Sequence, residues 1–130
     1  MWLDAKKNNP LLDLMKSGSI QFDYAGFSFV AKREKGRFFS FSTVVYSGGN
    51  YVPKSVRQAL YPLPCFHQDA AISANIFICE QEYQIFLEAK TDVSLLGPLL
   101  HFLELFVDLA VEWRYYLEEY EKRDFIHVSI

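Results

Sequence analysis

Residues 95–123, LLGPLLHFLELFVDLAVEWRYYLEEYEKR, decide how this chain is read. The stretch has the length and spacing of one long helix, with Pro98 tolerable in its opening turn. It is too apolar for a simple surface helix and too charged for a bilayer. Glu104, Asp108 and Glu112 fall four apart and form one narrow acidic stripe. Leu99, Leu100, Leu103, Phe106, Leu109, Ala110 and Trp113 fill much of the remaining girth, with Phe102, Leu105, Val107 and Val111 beside them. A helix apolar around most of its circumference buries more than one face. In a short chain one face covers a sheet, and the other is expected to need a second subunit or a bound polypeptide.

Working toward the N-terminus, Tyr83, Ile85 and Leu87 alternate as a strand entering this helix, and Glu80-Gln81-Glu82 reads as the turn before it. Residues 71–79 form another strand: Ile72, Ala74, Ile76 and Ile78 give an apolar face, and Ser73, Asn75, Phe77 and Cys79 a mixed one. Residues 53–61, PKSVRQALY, predict a short helix stopped by Pro62 and Pro64. Phe39, Phe41, Thr43 and Val45 line one face of a strand broken by Ser47-Gly48-Gly49-Asn50. Ile20, Phe22 and Tyr24 alternate, slip phase at Ala25-Gly26, and resume as Phe27 and Phe29, which signals a turn or bulge. Asn9-Pro10 reads as the cap and first position of a two-turn helix closed by Ser17-Gly18. The predicted order is α-β-β-β-α-β-β-α: an α+β fold with a twisted antiparallel sheet of about five strands and helices packed on it. Residues 1–130 form a single domain, with 1–9 and 124–130 expected to be loose; 125–130 alternate like a strand without a partner.

Composition narrows the function. Half of the 130 residues are hydrophobic and 17% are aromatic, so the chain can build a core and is not of disordered composition. A net charge of −3 argues against direct nucleic-acid binding, which draws its affinity from clustered Lys and Arg. The one basic cluster, Lys32, Arg33, Lys35 and Arg37, is interrupted by Glu34 and Gly36 and reads as a solvated hairpin tip. Cys65 and Cys79 make neither a disulfide framework nor a zinc site, and Cys79 reads as a small buried hydrophobe. Met1-Trp2-Leu3-Asp4 has no signal-peptide character. The single long apolar window carries Glu104 and Asp108, each costing about 2.5 to 3.5 kcal/mol near a bilayer centre, so membrane insertion is not expected. A cytoplasmic location is the expectation.

No catalytic constellation can be assembled. His67, His101 and His127 lack partners at metal-binding spacing, and His101 reads as a core or interface residue. Gly-x-Ser-x-Gly, GxxxxGK and GxGxxG are all missing. Di-iron helices need Glu-x-x-His motifs that this chain does not contain. No enzyme activity and no cofactor are expected.

The element order, the small acidic size and the segment 83–120 resemble class I type III secretion chaperones, small dimeric escorts of secreted effectors in Gram-negative bacteria. The stretch Phe106-Val107-Asp108-Leu109-Ala110-Val111-Glu112-Trp113-Arg114 is similar to the last helix of chlamydial members. The resemblance implies helices on a twisted antiparallel sheet and a dimer formed through residues 53–61 and 70–80. The dimer residues would include Val56, Leu60, Ile72, Ile76 and Phe77. It implies an extended, non-globular segment of a secreted effector or secretion-gate protein as cargo, with no hydrolysis by the chaperone. Leu11, Leu12, Leu14, Phe27, Phe29, Phe39 and Phe41 are the side chains expected to touch cargo. The family usually begins with a longer helix; Asn8-Asn9-Pro10 shortens it here, so the expected assembly is a homodimer or a heterodimer with a related chaperone. The alternative is a regulator that binds RNA polymerase or a transcription factor, docking through the stripe Glu104, Asp108 and Glu112. A small-ligand domain would need convergent polar groups that the sequence does not offer.

Overall fold

The structure, a computed structural model, describes residues 10–35, 38–92 and 95–129. The expected loose segment 1–9, the Asn9 cap and Arg37 lie outside the described residues. The protein is an α+β fold in the predicted order, with one small helix added: α1 (Pro10–Ser17), β1 (Ser19–Tyr24), β2 (Phe27–Arg33), β3 (Phe39–Ser47), α2 (Lys54–Ala59), α3 (Cys65–Gln68), β4 (Ala74–Cys79), β5 (Gln84–Thr91) and α4 (Leu96–Ser129). The five strands form one antiparallel sheet in the order β1-β2-β3-β5-β4. β1 and β4 are its edges.

Local chemistry explains the joints. α1 stops where Gly18 takes a positive φ of 82° and returns its N–H to the Leu14 carbonyl at 2.8 Å, a left-handed helix end. The phase slip at Ala25-Gly26 is a two-residue hairpin turn with both residues at positive φ, bringing Tyr24 opposite Phe27. A true bulge lies further on, where the β3 register shifts between Val44 and Tyr46. The extra residue lets Val45 and Tyr46, neighbours in sequence, both be buried.

All four helices lie on one side of the sheet. β1 supplies Ile20, Phe22 and Tyr24 to that side; β2 supplies Phe27, Phe29 and Ala31 in register with them. β3 and β5 add Phe39, Phe41, Thr43, Ile85, Leu87 and Ala89. Against this surface α4 sets Leu99, Leu103, Phe106, Ala110, Trp113 and Leu117, all fully buried. Phe106 packs against Phe29 and Phe41 with ring centroids 6.1 and 6.2 Å apart. Leu11 and Leu14 of α1, and Val56 and Ala59 of α2, close the flanks.

Two expectations fail here. The long helix was expected to need an outside partner for its second apolar face, but α1, α2 and α3 surround it and bury Leu100, Val107 and Leu109 as well. Phe102, Leu105 and Val111 are half-buried. The tail 125–129 is not a strand; α4 continues through Ser129, and Ile130 lies outside the described residues. Counting apolar positions around a helix does not reveal how many short helices will share it.

Candidate interaction surface

The side of the sheet away from the helices is left open. Gln21, Asp23, Ser28, Lys32, Asn75, Phe77 and Lys90 are exposed on it. Strand register aligns Val44 with Phe86 and Phe86 with Phe77, so three apolar side chains cross from the sheet's middle to its β4 edge. The Phe77 and Phe86 rings stack nearly parallel, 5.5 Å between centroids and 8° between planes, and Phe77 keeps 43% of its surface exposed. Half-buried Cys79 lies two residues further along the same face of β4.

The two sheet edges differ chemically. β1 (SIQFDY) carries Asp23, whereas β4 (ANIFIC) contains no charged residue and no proline. An uncharged apolar edge strand with unpaired backbone groups is the kind that natural proteins cover or use. The turn that follows is braced: Arg57 of α2 forms a two-pronged ion pair with Glu80, and its Nε donates to the Val52 carbonyl at 3.1 Å. That pair raises the Arg57 pKa, chiefly through the side-chain hydrogen bond, and the same bond lowers that of Glu80. Arg57 thereby ties α2 to the end of β4.

The expected site residues fall on both sides of this boundary. Leu11, Leu14, Phe27, Phe29, Phe39 and Phe41 are inside the protein, none more than 4% exposed, and cannot meet a partner without unpacking the core. Leu12 is half-buried. Alternation identified the Phe-rich face correctly as apolar but could not say that the helices of the same chain cover it. Val56 is likewise core, packed toward α4, while Leu60, Ile72 and Ile76 are half-buried. Phe77 alone of the expected dimer residues is exposed. In the acidic stripe Asp108 and Glu112 are exposed and Glu104 is half-buried. His101 is exposed, so of the core or interface position expected for it the core reading fails, and Cys79 is half-buried where full burial was expected.

Sequence reasoning missed three features. Phe86 was passed over because β5 was read from its other face. Arg114 reads as an ordinary helix cation, yet its guanidinium lies 3.5 Å from the Phe27 ring centroid and donates to the Gly26 carbonyl at 3.0 Å, docking the first hairpin on α4. Helix α3, four residues after Pro64, was too short for any periodic signal.

A cleft of about 390 Å³ lies between the end of β3 and α4, lined by Tyr46, Ser47, Arg114, Glu118, Glu121 and Lys122 among others. It is half open and mixed in charge, without convergent buried polar groups. Among the described residues no cluster of His, Cys, Asp and Glu is arranged to hold a metal, and no helix is long and apolar enough to cross a membrane. No family model, curated protein or solved structure matches the chain.

Proposed function

We propose that this protein is a type III secretion chaperone, which binds an extended, non-globular segment of a secreted protein in the bacterial cytoplasm and keeps it competent for export. The observation that carries the reading is the open sheet face beside the uncharged β4 edge, with Phe77 and Phe86 stacked on it. An unfolded segment can add to a sheet edge through main-chain hydrogen bonds while its alternate side chains rest on apolar neighbours. Ordering such a segment costs conformational entropy, which a contiguous apolar contact must offset. The element order, α-β-β-β-α-β-β-α apart from the added α3, supports the resemblance that suggested this function. The contact residues proposed now are Val44, Phe77 and Phe86, in place of the internal phenylalanines.

A dimer, with a second copy or a related chaperone, remains part of the proposal and rests on Leu60 and Ile72, which leaves the β4 edge and Phe77 to the secreted segment. A regulator docking on RNA polymerase or a transcription factor is the second reading. It draws on the exposed Asp108 and Glu112 and is weakened by the partial burial of Glu104.

The test is capture of tagged protein from native cells beside the variant Phe77→Asp. The proposal expects wild type to retain a secreted protein or a secretion component, through a segment that is unstructured on its own, and the variant to lose it while still folding. Recovery of RNA polymerase alone, equally well by both proteins, contradicts it.

A further inference from the structure

We infer that His67 is an acid-sensitive latch that holds α3 and the beginning of edge strand β4 to the long helix α4. The inference concerns the fold and stands independently of the chaperone proposal.

The Trp113 indole is a donor with no second role. An indole Nε1–H can only donate, and that of Trp113 lies 2.9 Å from His67 Nδ1. Nδ1 therefore accepts and carries no proton. In a neutral imidazole the proton then sits on Nε2, which lies 3.0 Å from the Ala74 carbonyl oxygen and donates to it. Both ring nitrogens are engaged, and the neutral Nε2–H tautomer is the single form that satisfies both contacts. The assignment follows from the chemistry of the partners.

Protonating Nδ1 would set two N–H donors against each other. Trp113 is fully buried, packed edge-to-face against Phe66, His67 and Tyr116, so its indole N–H would lose its acceptor inside the protein. The surroundings offer the imidazolium little compensation. α3 contributes Cys65, with Asp69 at its C-terminal cap; α4 contributes Glu112, exposed beside Trp113, and Tyr116; β4 and residues 70–73 carry no charged side chain. His67 forms no ion pair among the described residues.

Position in the fold decides what opens. The latch joins α3, α4 and the first residue of β4, a strand paired on one side only, to β5. β2, β3 and β5 each have two neighbouring strands. Breaking the latch by acid therefore releases α3 and the start of β4 before the rest of the sheet.

The test is amide hydrogen exchange between about pH 7.5 and pH 5, corrected for intrinsic rates, on the wild type and on His67→Gln, whose amide can accept and donate but does not titrate. The wild type is expected to exchange up to about 30-fold faster across residues 65–77 at the acid end, the most that proton uptake by one imidazole freed in the open state can supply over this range, with β2 and β3 still protected. His67→Gln should stay flat. A wild type that does not open overturns the inference. So does a variant that opens like the wild type, since His101, His127 or another group would then be responsible. Should His67→Gln fail to fold, long-range ¹H–¹⁵N spectra of the wild-type imidazole decide: the Nε2–H tautomer at neutral pH, protonating in step with the opening, is expected, and the Nδ1–H tautomer overturns it.

Discussion

Replacing Phe29 by alanine separates the interior phenylalanines from the surface ones. Phe29 is fully buried, stacked on Phe22 at 5.3 Å and packed against Phe27 at 5.8 Å and Phe106 at 6.1 Å. Removing the ring forfeits its burial and leaves a cavity bounded by three other rings, which for Phe→Ala costs about 3 to 5 kcal/mol. A domain's whole stability is about 5 to 15 kcal/mol, so the loss is a large share of it. With a urea slope of about 2 kcal/mol per molar, the unfolding midpoint should fall by roughly 2 M. Phe77→Ala is the internal control, because Phe77 is 43% exposed and has one ring partner, Phe86. Losing part of its burial and one stacked pair should cost about 1 to 2 kcal/mol. Urea unfolding followed by far-ultraviolet circular dichroism measures both variants. Equal losses, or a larger loss for Phe77→Ala, would refute the assignment of the Phe-rich face to the core and the Phe77 face to solvent.

Gly26→Ala should destabilise by about 1 to 2 kcal/mol, because an L residue must take a φ of 82° and its Cβ would sit 3.1 Å from the Arg114 guanidinium; thermal melting checks this, and an unchanged Tm contradicts the docked hairpin. The Arg57–Glu80 pair makes a small acid-dependent contribution: the Glu80 carboxyl is held below its ordinary value of 4.5, so its stabilisation is complete above that pH and disappears as pH falls through the lowered folded value. Glu80→Gln should therefore differ from wild type at neutral pH and converge with it in strong acid, with high salt shrinking the gap, and a gap that widens on acidification contradicts this. The raised value of Arg57 matters only above the range where proteins are handled. Light scattering should give twice the chain mass of 15.1 kDa at micromolar concentration, and a monomer there argues against a homodimer.

The fold was legible wherever local signals and period agreed. Ile20, Phe22 and Tyr24 alternate, Ala25-Gly26 takes the turn, and Phe27 and Phe29 return, and each became what its pattern implied. α4 announced itself by length. The site was harder to read because a strand's two faces look alike in sequence: Phe27, Phe29, Phe39 and Phe41 are apolar whether a helix or a partner covers them. Phe77 and Phe86 belong to the faces of β4 and β5 that alternation ranks as mixed, so their register across the two strands became visible only in the folded sheet. The bulge at Val45 left no signal, since Val44-Val45-Tyr46 suits an unbroken strand equally well. His67 and Trp113 stand 46 residues apart, and nothing local ties an imidazole after Pro64 to an indole on the last helix.

Hydrogen exchange on the protein alone and in complex with a captured secreted partner tests the central claim most directly. The account predicts new protection along β4 and at the outer-facing positions of β5, residues 74–79 and 84–90, with the buried face of β2 unchanged. Protection confined to the acidic side of α4 around Asp108 and Glu112, with β4 exchanging as freely as before, would contradict it.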